Sequence, residues 1–137
     1  MKKLINLSVF LLTLTMVSCK KNSDPTIEPI TAPVYRIEFT QGENYKTVKK
    51  SLEFGEGTLL KGFNGKIIFK NEDLPNPSYV FETEGTPGKL NLVLHIEDNG
   101  ASEITQFSFK VFKNGKQVMS VSHSASGNAN KEHRISI

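Results

Sequence analysis

The side chains in this sequence with the most chemical potential are three histidines and the acids close to them. His123 and His133 flank a polar stretch, and Glu132 stands beside the second. If the segments on either side of that stretch pair as strands, His123, Glu132 and His133 converge as two imidazole nitrogens and a carboxylate, a donor set that suits zinc. The spacing matches no tight ligand motif and the alternative is plain solvation, so no metal and no cofactor is expected. His95 falls among Asn91, Val93 and Glu97 on the polar side of an alternating run and reads as solvated. Asp98-Asn99-Gly100 and Asn71-Glu72-Asp73 gather oxygen donors that could attract calcium. They are also ordinary turn residues, and no D-x-D-x-D-G loop is present.

Nucleophilic catalysis has little to work with. There is no G-x-S-x-G, and serines near His123 at a strand end are commonplace. No two carboxylates form an acid–base couple, and no glycine-rich loop leads into a helix that could cradle phosphate. The chain is therefore not expected to be an enzyme. A glycan or small-ligand module would use exposed aromatics, for which Tyr45 and Tyr79 are the candidates. Trp is absent, which counts against that reading.

The one cysteine, Cys19, is the residue with the clearest assignment. Met1-Lys2-Lys3 is a basic start, Leu4 to Val17 is an apolar run, and Lys20-Lys21-Asn22-Ser23-Asp24 follows at once. The run is shorter than the roughly 20 residues a membrane-spanning helix needs. Residues 1–18 have the three parts of a secretory signal. Met16-Val17-Ser18-Cys19 resembles the lipobox of bacterial lipoproteins, with Met where Leu is commonest. The resemblance implies cleavage before Cys19 and acylation of its sulfur and amine. Two or three chains, at about 0.8 kcal/mol per buried CH₂, make a firm anchor. Lys20 stands where Asp would be an inner-membrane retention signal, so the resemblance implies the outer membrane, on the periplasmic or the surface side. The Ser-Cys-Lys-Lys opening is similar to that of many Bacteroidota lipoproteins.

Processing changes the electrostatic argument. The chain has 17 Lys+Arg against 14 Asp+Glu, a net of +3. Losing Lys2 and Lys3 with the leader leaves 15 against 14, or +1. A nearly neutral domain makes no case for nucleic acid. Residues 19–33 contain Pro25, Pro29 and Pro33 and read as the lipidated N-terminus and tether, since proline favours extended chain. Residues 34–137 suit one domain with one core.

The elements that must position these side chains are strands. Tyr35, Ile37 and Phe39 alternate with polar residues, as do Leu90, Leu92, Leu94 and Ile96. Tyr45 to Phe54 reads as a poorer strand, because Lys50 shares a face with Val48, Leu52 and Phe54. Thr58 to Phe63 and Lys66 to Lys70 flank Asn64-Gly65, a pair favoured in type I′ hairpins, and the implied register sets Leu60 opposite Phe69. Tyr79 to Thr83 is a short strand. Ile104 to Phe112 and Lys116 to His123 flank a second such pair, Asn114-Gly115. That hairpin sets Val111 opposite Val118 unless a bulge shifts the register. Glu132 to Ile137 closes the chain, and Asn71–Ser78 and Ser124–Asn130 read as loops long enough to bind something. About eight short strands argue for an all-β antiparallel sandwich, with a small β-barrel as the alternative.

Leu74-Pro75, Gly85, Phe109-Lys110-Val111-Phe112-Lys113-Asn114-Gly115-Lys116-Gln117-Val118 and Ser124-Ala125-Ser126-Gly127 occur in that order. This is similar to the membrane-anchored small β-sandwich proteins typified by mycobacterial transport accessory proteins. It is also similar to short Bacteroidota lipoproteins of like pattern. The Pro-Trp and paired cysteines often seen in that family are missing here. The resemblance implies an Ig-like sandwich beside a membrane transporter. The leading functional expectation is thus a lipid-anchored sandwich that binds another envelope protein, in a transporter or secretion complex. The alternatives are a glycan or small-ligand module and an inhibitor or immunity-type protein.

Overall fold

The computed structural model describes residues 34–85 and 88–137. The leader, Cys19, the tether and part of the Gly85–Gly88 turn lie outside the described residues. The rest forms eight strands and one 3-10 turn, Asn71–Asp73. The strands are β1 (Tyr35–Gln41), β2 (Lys50–Phe54), β3 (Ile68–Phe69) and β4 (Ser78–Glu82). They continue with β5 (Asn91–Ile96), β6 (Ala101–Lys113), β7 (Lys116–Gly127) and β8 (Lys131–Ser136). Two four-stranded antiparallel sheets result, ordered β4-β1-β6-β7 and β3-β2-β5-β8. The expected sandwich is present. No closed barrel exists among the described residues, because the two sheets share no ladder.

Alternation places the core. Tyr35, Ile37, Phe39 and Gln41 of β1 are all buried, as are Leu92, Leu94 and Ile96 of β5. From the other strands come Leu52, Phe54, Phe81, Phe107, Phe109 and Val111. Each fully buried Leu, Ile or Phe contributes about 1.5–3 kcal/mol.

The two Asn-Gly pairs behave differently. Asn114 (φ 49°) and Gly115 (φ 80°) adopt the left-handed conformation of a type I′ turn and join β6 to β7 with Lys113 opposite Lys116. A bulge follows at once, so Val111 faces Met119 and Val118 is the extra residue. Asn64 (φ 49°) and Gly65 (φ 80°) make the same turn, with Lys66 N donating to Phe63 O at 2.9 Å. The expected hairpin around it does not form. Only Ile68–Phe69 is a strand, and its partner is β2, with Phe69 opposite Leu52. Leu60 instead bridges Thr83. The second expected strand, Tyr45 to Phe54, begins only at Lys50, because Asn44 takes φ 62° in a turn ahead of it. The expected loop from Ser124 is instead the last turn of ladder in β7, down to Gly127.

Candidate functional site

One side of the sandwich, where β3 and β4 are the outermost strands, is closed. Residues 59–61 cover the outer edge of β4: Lys61 N donates to Glu82 O (2.8 Å) and Glu84 N to Leu59 O (2.9 Å). Beneath lies an aromatic cluster of Phe54, Phe63, Phe69 and Phe81, with ring centroids 4.9–6.0 Å apart in its closest pairs. The connection from β3 to β4 is pinned as well. Gln41 Nε2 donates to Leu74 O (3.1 Å) and Asn76 O (2.6 Å). Tyr45 OH donates to Pro75 O (2.9 Å), and Asn76 N donates to Tyr79 OH (2.7 Å). The two tyrosine hydroxyls considered for ligand binding therefore hold this loop.

Lys50 completes that closure. It is 2% exposed, although it is charged at its ordinary pKa. Its Nζ donates to Tyr45 O (2.7 Å), Asn71 Oδ1 (3.1 Å) and Val48 O (3.3 Å). Burial pushes its pKa down to about 8. The sequence carries the signal for this: Lys50 interrupts an otherwise apolar face.

The opposite side, bounded by β7 and β8, is open. β7 is twelve residues long and pairs only with β6, so its outer row of N–H and C=O groups has no strand partner among the described residues. Gln117 to Asn130 is a run of fourteen residues with no Asp, Glu, Lys or Arg and no proline. Natural edge strands are normally blunted by such residues or by a cover, because a bare edge is a template for another strand. Here β7 carries Lys116 at its start, a bulge at Val118 and a second irregularity of its ladder between Ala101 and Thr105, and no charged residue from Gln117 onward. Met119 and Val121 point inward, opposite Val111 and Phe109, yet are only half-buried against the core. The apolar interior thus reaches the surface along this edge. Sequence reasoning read Lys116 to His123 as a strand and Ser124–Asn130 as a loop, and missed the site because a strand's edge position depends on which other strands pair.

His123 and His133 meet within this open side. They point inward from β7 and β8, opposite Phe107 and Leu94. Their rings stack with centroids 4.1 Å apart. The Nε2 atoms of both are buried and have no hydrogen-bond partner. Desolvation chiefly, then the His123 and Lys131 charges, hold His133 below the ordinary histidine pKa. The expected third donor does not join them. Glu132 is adjacent to His133 on one strand, so it points to the other face. There its carboxylate lies 3.3 Å from His95 Nδ1 and 2.6 Å from Arg134, while Glu53 lies 3.3 Å from His95 Nε2. His95 therefore sits in a charged row rather than in bare solvent. Among the described residues no group of three or more His, Cys, Asp or Glu could hold a metal ion.

Oxygen donors collect at the end of the sandwich where β7 finishes. Asn130 Oδ1 accepts from Asp98 N (2.8 Å), and Asp98 Oδ1 accepts from Gly100 N (3.1 Å). Gly127 O accepts from both Asn99 and Gly100 (2.8 Å each). A Cβ on Gly127 would collide with Asn99 Oδ1, so a larger residue there would displace the Asn99 side chain. Among the described residues no helix is long and apolar enough to cross a membrane.

No protein-family model matches the chain, and no curated protein matches it. Three solved structures are similar. The calcium-bound form of a protein from Parabacteroides distasonis, solved by NMR, is 22% identical with a TM-score of 0.58, covering 75% of this chain and 93% of that one. A DUF4425 family protein from Bacteroides ovatus is 13% identical with a TM-score of 0.55, covering 78% of this chain and 95% of that one. A DUF4425 domain of unknown function from Bacteroides vulgatus matches equally, covering 94% of its own length. At these identities the likeness shows the shared fold.

Proposed function

We propose that this chain is a lipid-anchored, non-enzymatic protein of the cell envelope whose sandwich binds another envelope protein by accepting one of its extended segments along β7. The anchor rests on the lipobox-like Met16-Val17-Ser18-Cys19, and outer-membrane placement on Lys20. The observation that carries the binding role is the long, uncharged, unpaired edge of β7, with Met119 and Val121 half-buried beside it. Strand addition draws affinity from main-chain hydrogen bonds and specificity from side-chain positions on alternate residues. The partner segment that fits is itself uncharged, with apolar residues at every second position to continue the Met119–Val121 row. A transporter or secretion complex is the setting in which an anchored partner-binding sandwich would serve.

Photo-crosslinking in cells from Ser122 tests this. Recovery of one defined envelope protein is expected, and its loss when Ser120→Lys and Ser124→Lys are introduced as edge guards. Undiminished crosslinking in that double variant would remove β7 as the site. For the anchor, Cys19→Ala should release the protein from membranes. Retention in the detergent phase would refute acylation.

Calcium binding is a second reading. The related Parabacteroides fold has a calcium-bound form, and Asp98, Asn99, Asn128 and Asn130 lie near one another at one end of this sandwich. Asp98 is the one carboxylate in that group, which argues for a weak site. Calorimetry with calcium chloride should give saturable heat that Asp98→Asn removes, and a flat titration would end this reading.

A further inference from the structure

We propose that the cleft between Tyr45, Lys46 and the Asn71–Pro75 connection binds the carboxylate group of a small ligand. The cleft has a volume of about 310 Å³, at the small end of ligand sites. Its floor is Lys50, which lies in the core face of β2 with Leu52 and Phe54. A buried cation is normally paired with an acid. Lys50 has no carboxylate within ion-pairing distance among the described residues, and its three donors go to two carbonyls and an amide oxygen. These satisfy its hydrogen bonds and leave its charge uncompensated.

The surroundings carry that charge outward. Lys50 Nζ lies 5.3 Å from the centre of the Tyr45 ring, and Lys46 Nζ lies 5.9 Å from the same centre. Lys46 is exposed and forms no ion pair among the described residues. A fixed cation at the floor and a free one at the rim make a small positive field, which low-dielectric walls focus on the mouth. Glu72 also lines the cleft, so its lining carries two cations against one carboxylate and remains net positive. Leu74 and Pro75 supply an apolar wall. The ligand that fits is compact, with one anionic end and one apolar or ring face. An acidic sugar and an N-acylated apolar amino acid share this chemistry.

This site is separate from β7, and its test does not depend on strand addition. Glucuronate and N-acetylleucine are titrated into the protein by calorimetry, with glucose as the neutral control. One or both anions should bind at least about tenfold more tightly than glucose, the ratio expected when a single charge contact is added. Whichever binds identifies the source of the carboxylate. Lys46→Gln should weaken binding several-fold without altering the fold. In the unaltered protein, the ammonium resonance of Lys50 should titrate at higher pH when the anion is bound, and affinity should fall above about pH 8, where free Lys50 loses its proton. Equal binding of glucose, no binding of either anion, or an unshifted Lys50 titration would overturn the proposal.

Discussion

The two sides of this sandwich solve the same problem in opposite ways. On the β3–β4 side, four phenylalanines fill the gap between sheets, and a buried lysine, a glutamine and two tyrosine hydroxyls tie down the chain that crosses it. On the β7–β8 side the gap holds Met119, Val121 and two stacked histidines with unpartnered nitrogens. One side spends polar groups on closure, leaving Gln41 Oε1 unpartnered, whereas the other leaves two histidine nitrogens and a strand edge unspent. A domain that only needed to be stable would close both. The asymmetry separates the part that holds the fold from the part available for a partner.

Core truncation should expose this contrast most strongly. Phe81→Ala empties the middle of the closed side and should cost about 3–5 kcal/mol in denaturant unfolding, whereas Val121→Ala should cost about 1 kcal/mol or less. Equal costs would abolish the distinction. Lys50→Met should be next. It leaves Tyr45 O, Val48 O and Asn71 Oδ1 without their donor, at about 1–3 kcal/mol for each acceptor that water cannot reach. Hydrogen exchange should then rise in residues 71–77 and stay unchanged in β7. The wild-type lysine has its own pH signature. The unfolded chain takes up the proton near 10.5 and the folded chain only near 8. Stability therefore falls as pH drops from 10.5 through about 8, and this contribution is constant below that.

On the open side the pH effect is smaller and lies elsewhere. The folded-state pKa of His133 is below its ordinary 6.5. As pH falls below 6.5 the unfolded chain binds a proton that the folded chain resists, so stability declines there. His133→Leu should flatten that decline in thermal melts recorded from pH 7.5 down to 5. The smallest stability effect belongs to Ser120→Lys, which should change unfolding by no more than about 0.5 kcal/mol while weakening partner capture. A large loss of stability would mean that the β7 edge is part of the closure after all.

How much of this was legible in the sequence depends on the range of the interaction. Alternation in Tyr35–Phe39 and Leu90–Ile96 reports its own buried face, so those strands and the sandwich could be read directly. Turn chemistry is equally local, and both Asn-Gly pairs do turn. Whether a turn is flanked by paired strands is not local. After Asn114-Gly115 the flanks pair with each other, whereas before Asn64-Gly65 residues 59–61 are drawn off to cover β4. The separation of Glu132 from His133 is legible in the sequence, because two neighbours on a strand face opposite ways. His123 and His133 do meet, but not by the strand pairing expected to bring them together: β7 and β8 lie in different sheets, and the rings stack across the sandwich. The roles of Gln41 and Lys50 depend on a loop 35 and 21 residues away, and no periodicity carries that. Cys19 lies outside the described residues, and its role rests on the leader that precedes it.

The first described residue has a mechanical consequence. Val34 and Asn114 are joined by two hydrogen bonds, Val34 N to Asn114 Oδ1 (2.9 Å) and Asn114 N to Val34 O (2.8 Å). Directly after Val34 the chain enters β1, which is flanked by antiparallel partners on both sides. Tension arriving through the preceding chain acts along β1, at right angles to its ladder bonds. Those bonds are loaded together in shear rather than unzipped one by one. A protein hauled by its N-terminus would resist along a strand that is bonded on both sides.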